Sequence, residues 1–147
     1  MEYLRTFIYS FEFEAIMKLL LGACLTGIIG LERSHLNKPA GFGTHAILGV
    51  SAVLIVLSSE YMHLQYGSDA SRIPAQLLSG IGFIGAGTIL RDGLNVTGVT
   101  TAAGLLAVTC IGLAVGAGFY VGAVVATIIV YILLSKSHQI SRRFDKD

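Results

Sequence analysis

Between Asp92 and Lys136 the chain carries no Asp, Glu, Lys or Arg. Over all 147 residues only 13% are charged, against roughly 25% in an ordinary globular domain. A soluble fold this poor in charge could not cover its surface with polar groups. The net charge of +1 leaves no basic surface for nucleic acid. Tryptophan is absent and there are two cysteines, Cys24 and Cys110. Both lie in apolar runs at a spacing that fits no metal motif, which predicts buried free thiols. The N-terminus carries Glu2, Glu12 and Glu14 and lacks the basic start of a secretion signal, so a cleaved leader is not expected. Neither H-E-x-x-H nor G-x-S-x-G occurs, and His35, His45, His63 and His138 are scattered, so no catalytic residue is assigned and no enzyme is expected.

What the chain does have is apolar length. Hydrophobic residues make up 54% of it, with a mean hydropathy of +0.74. A spanning helix needs about 20 apolar residues. Hydrophobic runs separated by polar or glycine-rich breaks predict an all-α membrane protein of about five transmembrane helices. The spans are expected near 15–31, 44–59, 73–90, 98–115 and 118–134, within a transmembrane domain over 15–135. Residues 1–14 precede it. There Tyr3, Leu4, Phe7, Ile8 and Phe11 recur at helical spacing, as in an amphipathic segment on the bilayer surface or in the first turns of a longer first helix. Lys18 is placed to snorkel from the start of the first span. Residues 136–147 form a tail.

Basic residues set an orientation. With five spans, Arg33, Lys38, Arg91, Lys136, Arg142, Arg143 and Lys146 share one side, while Arg5, Lys18 and Arg72 share the other. Cytoplasmic loops collect Lys and Arg. The N-terminus is therefore expected outside and the C-terminus in the cytoplasm.

There are 18 glycines, many at small-xxx-small spacing. Lipid tails are as apolar as leucine, so helices in a bilayer associate through close packing of small residues. Gly80, Gly82, Gly85 and Gly87 in the third span, Gly98 opening the fourth, and Gly118 and Gly122 in the fifth are the expected packing positions. They serve either the bundle itself or the seam of a homodimer or other homo-oligomer. Gly80-Ile-Gly82-Phe-Ile-Gly85 formally matches the dinucleotide fingerprint. It lies inside an apolar helix with no strand before it and no acid about 20 residues on, so no nucleotide site is read from it.

Charges at span ends need partners or water. One polar group comprises Glu32, Arg33, Thr44, His45, Arg91, Asp92, Thr97, Thr100 and Thr101, drawn from four spans to one cytoplasmic depth. Glu32 is placed to pair with Arg33, Arg91 or His45. Asp69, Arg72 and Gln76 form a second group on the outer side. From Arg72 to Arg91 the chain rises about 28 Å at 1.5 Å per residue, one hydrocarbon thickness, so the two arginines are expected to mark its two faces. Lys38, Glu60 and His63 read as solvated anchors. A hard cation such as Mg²⁺ seeks carboxylate, hydroxyl and water oxygens, for which Glu32 and Asp92 are the candidates. The neighbouring arginines oppose it.

Five segments carry a resemblance: Gly30-Leu31-Glu32-Arg33; Lys38-Pro39-Ala40-Gly41 with Thr44-His45; Asp69 with Arg72 and Gln76; the glycine-rich run Ser79 to Arg91; and Gly98-Val99-Thr100-Thr101-Ala102-Ala103. In this order and spacing the chain resembles the MgtC/SapB family of bacterial inner-membrane proteins, from about Leu19 to Leu134. The resemblance implies five helices in the cytoplasmic membrane, N-terminus outside, and a role in adaptation to low magnesium, acid or intracellular stress. For the MgtC branch it implies a regulator acting on the membrane ATP synthase. Two departures stand out. Members often carry a tryptophan near Leu106, which this chain lacks. Longer members also carry a soluble domain after the last span, where about a dozen residues follow here, as expected for a minimal SapB-like member. The competing function is a small transporter or channel for Mg²⁺ or another cation.

Overall fold

The computed structural model describes the backbone of residues 2–144 and the side chains of residues 11–136. The side chains of Tyr3, Leu4, Phe7 and Ile8, and those of Arg142, Arg143 and Lys146, lie outside that range. Five helices follow in order: α1 (Glu2–His35), α2 (Phe42–Tyr66), α3 (Arg72–Gly87), α4 (Val99–Gly116) and α5 (Tyr120–Phe144). A hairpin of two short strands, β1 (Leu90–Asp92) and β2 (Asn95–Thr97), joins α3 to α4.

Three segments are long and apolar enough to cross a bilayer: Phe11–His35, Phe42–Tyr66 and Val99–Gly116. Tyr120–Lys136 is a shorter apolar helix. α3, with 16 residues, extends about 24 Å at 1.5 Å per residue, less than the ~30 Å hydrocarbon core. Helix α1 is continuous from Glu2, so the backbone of residues 1–14 joins the first span rather than forming a separate element. Lys18 is buried, and its ammonium lies 2.8 Å from Glu14 one turn back. The expected snorkel to open water is not made: the side chain packs in the bundle and its charge is met by the half-exposed Glu14 carboxylate instead.

The third span ends earlier than expected. Gly85, Ala86 and Gly87 close the helix, and Thr88 Oγ1 donates to the Gly85 carbonyl at 2.7 Å. The chain then extends. Leu90 pairs with Thr97, Arg91 with Val96 and Asp92 with Asn95, antiparallel. The two-residue loop Gly93-Leu94 has its glycine at φ +60°, as a type II′ turn requires. Arg91 therefore sits on a strand, and the 28 Å helical ruler from Arg72 does not apply.

Helix α4 is the hub and packs against each of the other four. Val108, Ile111 and Val115 on α4 meet Leu25 and Ile29 of α1 and Val53 and Leu57 of α2 in one buried cluster. The closest approaches use glycine. A Cβ on Gly112 would lie 2.6 Å from the Gly49 carbonyl oxygen and 2.7 Å from Ala52 Cβ. One on Gly116 would lie 2.7 Å from Val56 Cβ, and one on Gly30 would lie 2.7 Å from Phe42 Cα. The expected packing glycines divide. Gly85 faces Ala102 at van der Waals distance, Gly98 abuts the Thr88 carbonyl, and Gly122 meets the ring of Phe119. Gly80, Gly82, Gly87 and Gly118 meet nothing within 4 Å. The three on α3 have no packing role among the described residues, because α3 touches the bundle along one edge and leaves Phe83 86% exposed, while Gly118 turns the chain between α4 and α5 at φ +80°. Cys24 and Cys110 are exposed rather than buried, since they lie on outward faces of α1 and α4.

Candidate functional site

The polar residues that the helices gather lie mostly at one end of the bundle, where α1 finishes and α2 and α4 begin. Arg33 is only 3% exposed and donates from Nη2 to Thr101 Oγ1 at 2.9 Å, tying the last turn of α1 to the first turn of α4. Thr101 is equally buried. Arg33 makes no ion pair among the described residues, where the one ion pair joins Lys18 to Glu14. Glu32 instead faces α5, and its Oε2 accepts from the Tyr131 hydroxyl at 3.3 Å. The expected pairings of Glu32 with Arg33, Arg91 or His45 are not made: Arg33, next in the helix, points about 100° away, Arg91 Nε is bonded to the Gly93 carbonyl on the hairpin, and His45 Nδ1 is bonded to the Gly41 carbonyl.

His45 is fully buried in the first turn of α2. Its Nδ1 lies 3.0 Å from the Gly41 carbonyl, so the proton sits there and donates. Its Nε2 is buried without a partner, near Gly104 of α4. Ser34 joins the same end, with its hydroxyl donating to the Gly30 carbonyl at 3.1 Å and accepting from the Phe42 amide at 2.9 Å. That pair of bonds fixes the α1–α2 turn, where Asn37 and Ala40 adopt positive φ.

Between these elements and the β-hairpin is a cavity of about 340 Å³. Its polar lining is Arg33, Lys38, Thr88, Thr97, Thr100 and Thr101. Pro39, Leu90, Val96 and Leu134 supply apolar wall. No acidic side chain is among its lining residues. The N-terminal turn of α4 opens onto it, and Gly98, the N-cap, makes no side-chain cap bond. The first amides of a helix have no intrahelical acceptor, so those of Val99, Thr100 and Thr101 look outward with the positive end of the helix dipole.

Of the sequence candidates, the structure brings together Arg33, Thr97, Thr100 and Thr101 around the cavity, with His45 packed behind. Thr44 is exposed outside it. Arg91 and Asp92 stand on the exposed hairpin, where Arg91 Nε donates to the Gly93 carbonyl at 3.1 Å. Glu32 is turned to Tyr131 of α5 and Asp92 stands on the exposed hairpin, and no group of three or more His, Cys, Asp or Glu is placed to hold a metal among the described residues. Lys38, which the sequence reads as a solvated anchor, lines the cavity, and Tyr131, which carries no signal in the sequence, holds Glu32. The Lys38-Pro39 pair just after a helix end was the available signal for a folded-back loop.

At the opposite end Asp69 Oδ1 accepts from the Ser71 amide at 2.8 Å and from its hydroxyl at 2.7 Å. These bonds hold the Asp69 carboxyl below the usual range, with a smaller contribution from the charge of Arg72. Arg72 and Gln76 are exposed and make no side-chain bond to Asp69. Ser59, which the sequence reading passed over, is buried and donates to the Ala70 carbonyl at 2.8 Å, anchoring the α2–α3 turn.

The MgtC family model matches residues 19–143. A protein of Escherichia coli K12 named putative magnesium transporter YhiD is 38% identical, over 88% of this chain and 63% of that protein. Protein MgtC of Salmonella typhimurium LT2 is 40% identical, over 86% of this chain and 55% of its own. An uncharacterized protein of Haemophilus influenzae is 38% identical over 85% of this chain. The chain thus spans between about half and two thirds of the length of these relatives. No solved structure matches it. With the apolar helices, these likenesses make the chain a membrane protein that belongs to the MgtC family.

Proposed function

We propose that the chain is a regulator in the bacterial cytoplasmic membrane that serves adaptation to low magnesium, acid or related stress by acting on a membrane partner. The observation that carries this reading is the placement of polar groups along the bundle. Charges sit at the two ends, and the buried threonine hydroxyls between them are consumed by their own helices. Thr26 donates to the Gly22 carbonyl at 2.8 Å, Thr109 to Leu105 at 2.9 Å and Thr127 to Ala123 at 2.8 Å. Leu25, Ile29, Val53, Val108, Ile111 and Val115 close the space between them. A Mg²⁺ path needs oxygen ligands facing a lumen, with carboxylates to offset dehydration. This middle offers neither.

In this proposal the Arg33 end faces the cytoplasm, on the seven-to-three distribution of basic residues, and the N-terminus lies outside. The partner implied by family resemblance is the ATP synthase. The bare α3 face, with Gly80, Gly82 and Gly87 open and Phe83 exposed, suits the seam of a homodimer. The name of the Escherichia coli relative favours a second reading, transport of Mg²⁺. Proton-driven ATP synthesis in inverted membrane vesicles separates the two. The regulatory reading expects synthesis to fall when the protein is present at native levels. Unchanged synthesis together with Mg²⁺ uptake by the purified protein would favour the transporter.

A further inference from the structure

We propose that the basic cavity at the Arg33 end binds a phosphate group, carried either by an anionic phospholipid headgroup or by a soluble phosphate. The cavity lining concentrates positive charge and contains no carboxylate, and the neighbouring Glu32 forms no ion pair with Arg33. Arg33 is 97% removed from solvent yet has no carboxylate partner among the described residues. A desolvated guanidinium is costly unless an anion or a full set of acceptors meets it. Its Nη2 bond to the Thr101 hydroxyl satisfies one of five N–H donors, and a neutral hydroxyl does not balance the charge. The remaining charge faces the cavity it lines.

The rest of the wall has the same chemistry. Lys38 adds a second cation, and Thr97 and Thr100 add hydroxyls. The uncapped first turn of α4, an 18-residue helix, presents backbone amides and the positive end of its dipole. Amides at a helix N-terminus are a ready site for phosphate oxygens. Gly98 makes this possible: at φ +86° it turns the chain so tightly against the Thr88 carbonyl that any side chain would collide. A planar guanidinium fork beside such a turn matches the oxygens of a phosphate. At about 340 Å³ the cavity is at the small end of ligand pockets, which run ~300–1,000 Å³, so it suits a headgroup or a small phosphate. With two cationic side chains and no acidic one in its lining, it favours an anion over a cation. The inference does not depend on the regulatory reading, because it concerns binding by the purified chain alone.

The test is isothermal titration of the full chain in a neutral maltoside detergent with two probes. One is inorganic phosphate. The other is short-chain dihexanoyl phosphatidylglycerol, with dihexanoyl phosphatidylcholine as the zwitterionic comparator. Saturable binding of phosphate, of phosphatidylglycerol over phosphatidylcholine, or of both is expected, and the stronger probe identifies the source. Lys38→Gln, on the open rim, should weaken binding about tenfold, the loss of one charge-assisted contact. Arg33→Gln should remove it. Arg91→Gln, which deletes a cation of the nearby hairpin outside the cavity, should leave it unchanged. If Arg33→Gln does not elute as a folded species on gel filtration, Lys38→Gln and Thr100→Val decide. No saturable binding of either probe overturns the proposal, and so does an equal loss in Lys38→Gln and Arg91→Gln.

Discussion

Replacing Thr101 by valine preserves the side chain's shape and removes the hydroxyl that accepts from Arg33 Nη2 at 2.9 Å. Both residues are 3% exposed, so water does not readily replace the lost acceptor. Hydrogen bonds to charged groups contribute ~1.5–3 kcal/mol in soluble proteins. In bilayers the unfolded reference state also finds partners, and measured side-chain bonds average about 0.6 kcal/mol with a maximum near 1.7. The Arg33 bond joins residues 68 positions apart and leaves a buried guanidinium N–H without its acceptor when broken, which places it at the upper end, about 1.5 kcal/mol. The assay is equilibrium unfolding in mixed micelles, run as a double-mutant cycle with Arg33→Leu. The single variants should each be destabilised, and the double variant should recover about 1 kcal/mol of coupling, since no unpaired charge remains. A Thr101→Val variant within about 0.3 kcal/mol of the wild type, with no coupling to Arg33, would show that the contact does not hold α1 to α4.

Three further outcomes follow from individual positions. Gly112→Ala puts a Cβ against the backbone of α2 at 2.6 Å, so the helices must separate and stability should fall by ~1–3 kcal/mol, whereas Gly80→Ala faces open space and should gain ~0.5–1 kcal/mol from helix propensity, both read by thermal unfolding in detergent. Gly104→Ser brings a hydroxyl toward the unpartnered Nε2 of His45, with a Cβ at 3.8 Å from it, and should be more stable than Gly104→Ala by about 1 kcal/mol in the same assay; equal stabilities would mean the orphan nitrogen costs nothing. The bonds from Ser71 favour the charged form of Asp69, so its folded value lies below the unfolded one of about 3.9; the turn is fully supported above that pH and loses the support as pH falls through the lower folded value. NMR of the Ser71 amide should titrate with a midpoint under that of an unstructured Asp, and Asp69→Asn should abolish the step.

The helix order was legible because charges and glycines interrupt the apolar runs at intervals near one bilayer thickness. Helix α4 was visible from residues 98–115 alone, and the structure begins and ends it within one residue of that range. The third span was misjudged because Thr88, Ile89 and Leu90 continue the apolar pattern, while Gly85 and Gly87 spoil the helix and Gly93 sets a hairpin turn. Apolar pattern alone does not separate a helix end from a short strand. At the site, Arg33 and Thr101 could each be named, but their contact spans two intervening helices and a hairpin. Which of two adjacent charges turns inward depends on helix phase: Arg33 faces α4 and Glu32 faces α5. Glycine spacing marked stripes without showing which ones meet. The tight contacts run through Gly49, Gly112 and Gly116, whereas Gly80 and Gly82 lie open.

The most direct test of the regulatory account is Mg²⁺ flux. Purified protein is reconstituted into liposomes loaded with a Mg²⁺-sensitive dye, and uptake is followed under an inward gradient with and without a membrane potential. The account predicts uptake indistinguishable from that of empty liposomes, because the middle of the bundle is closed by apolar side chains and self-satisfied threonines. Mg²⁺-selective uptake that disappears in Glu32→Ala would contradict it.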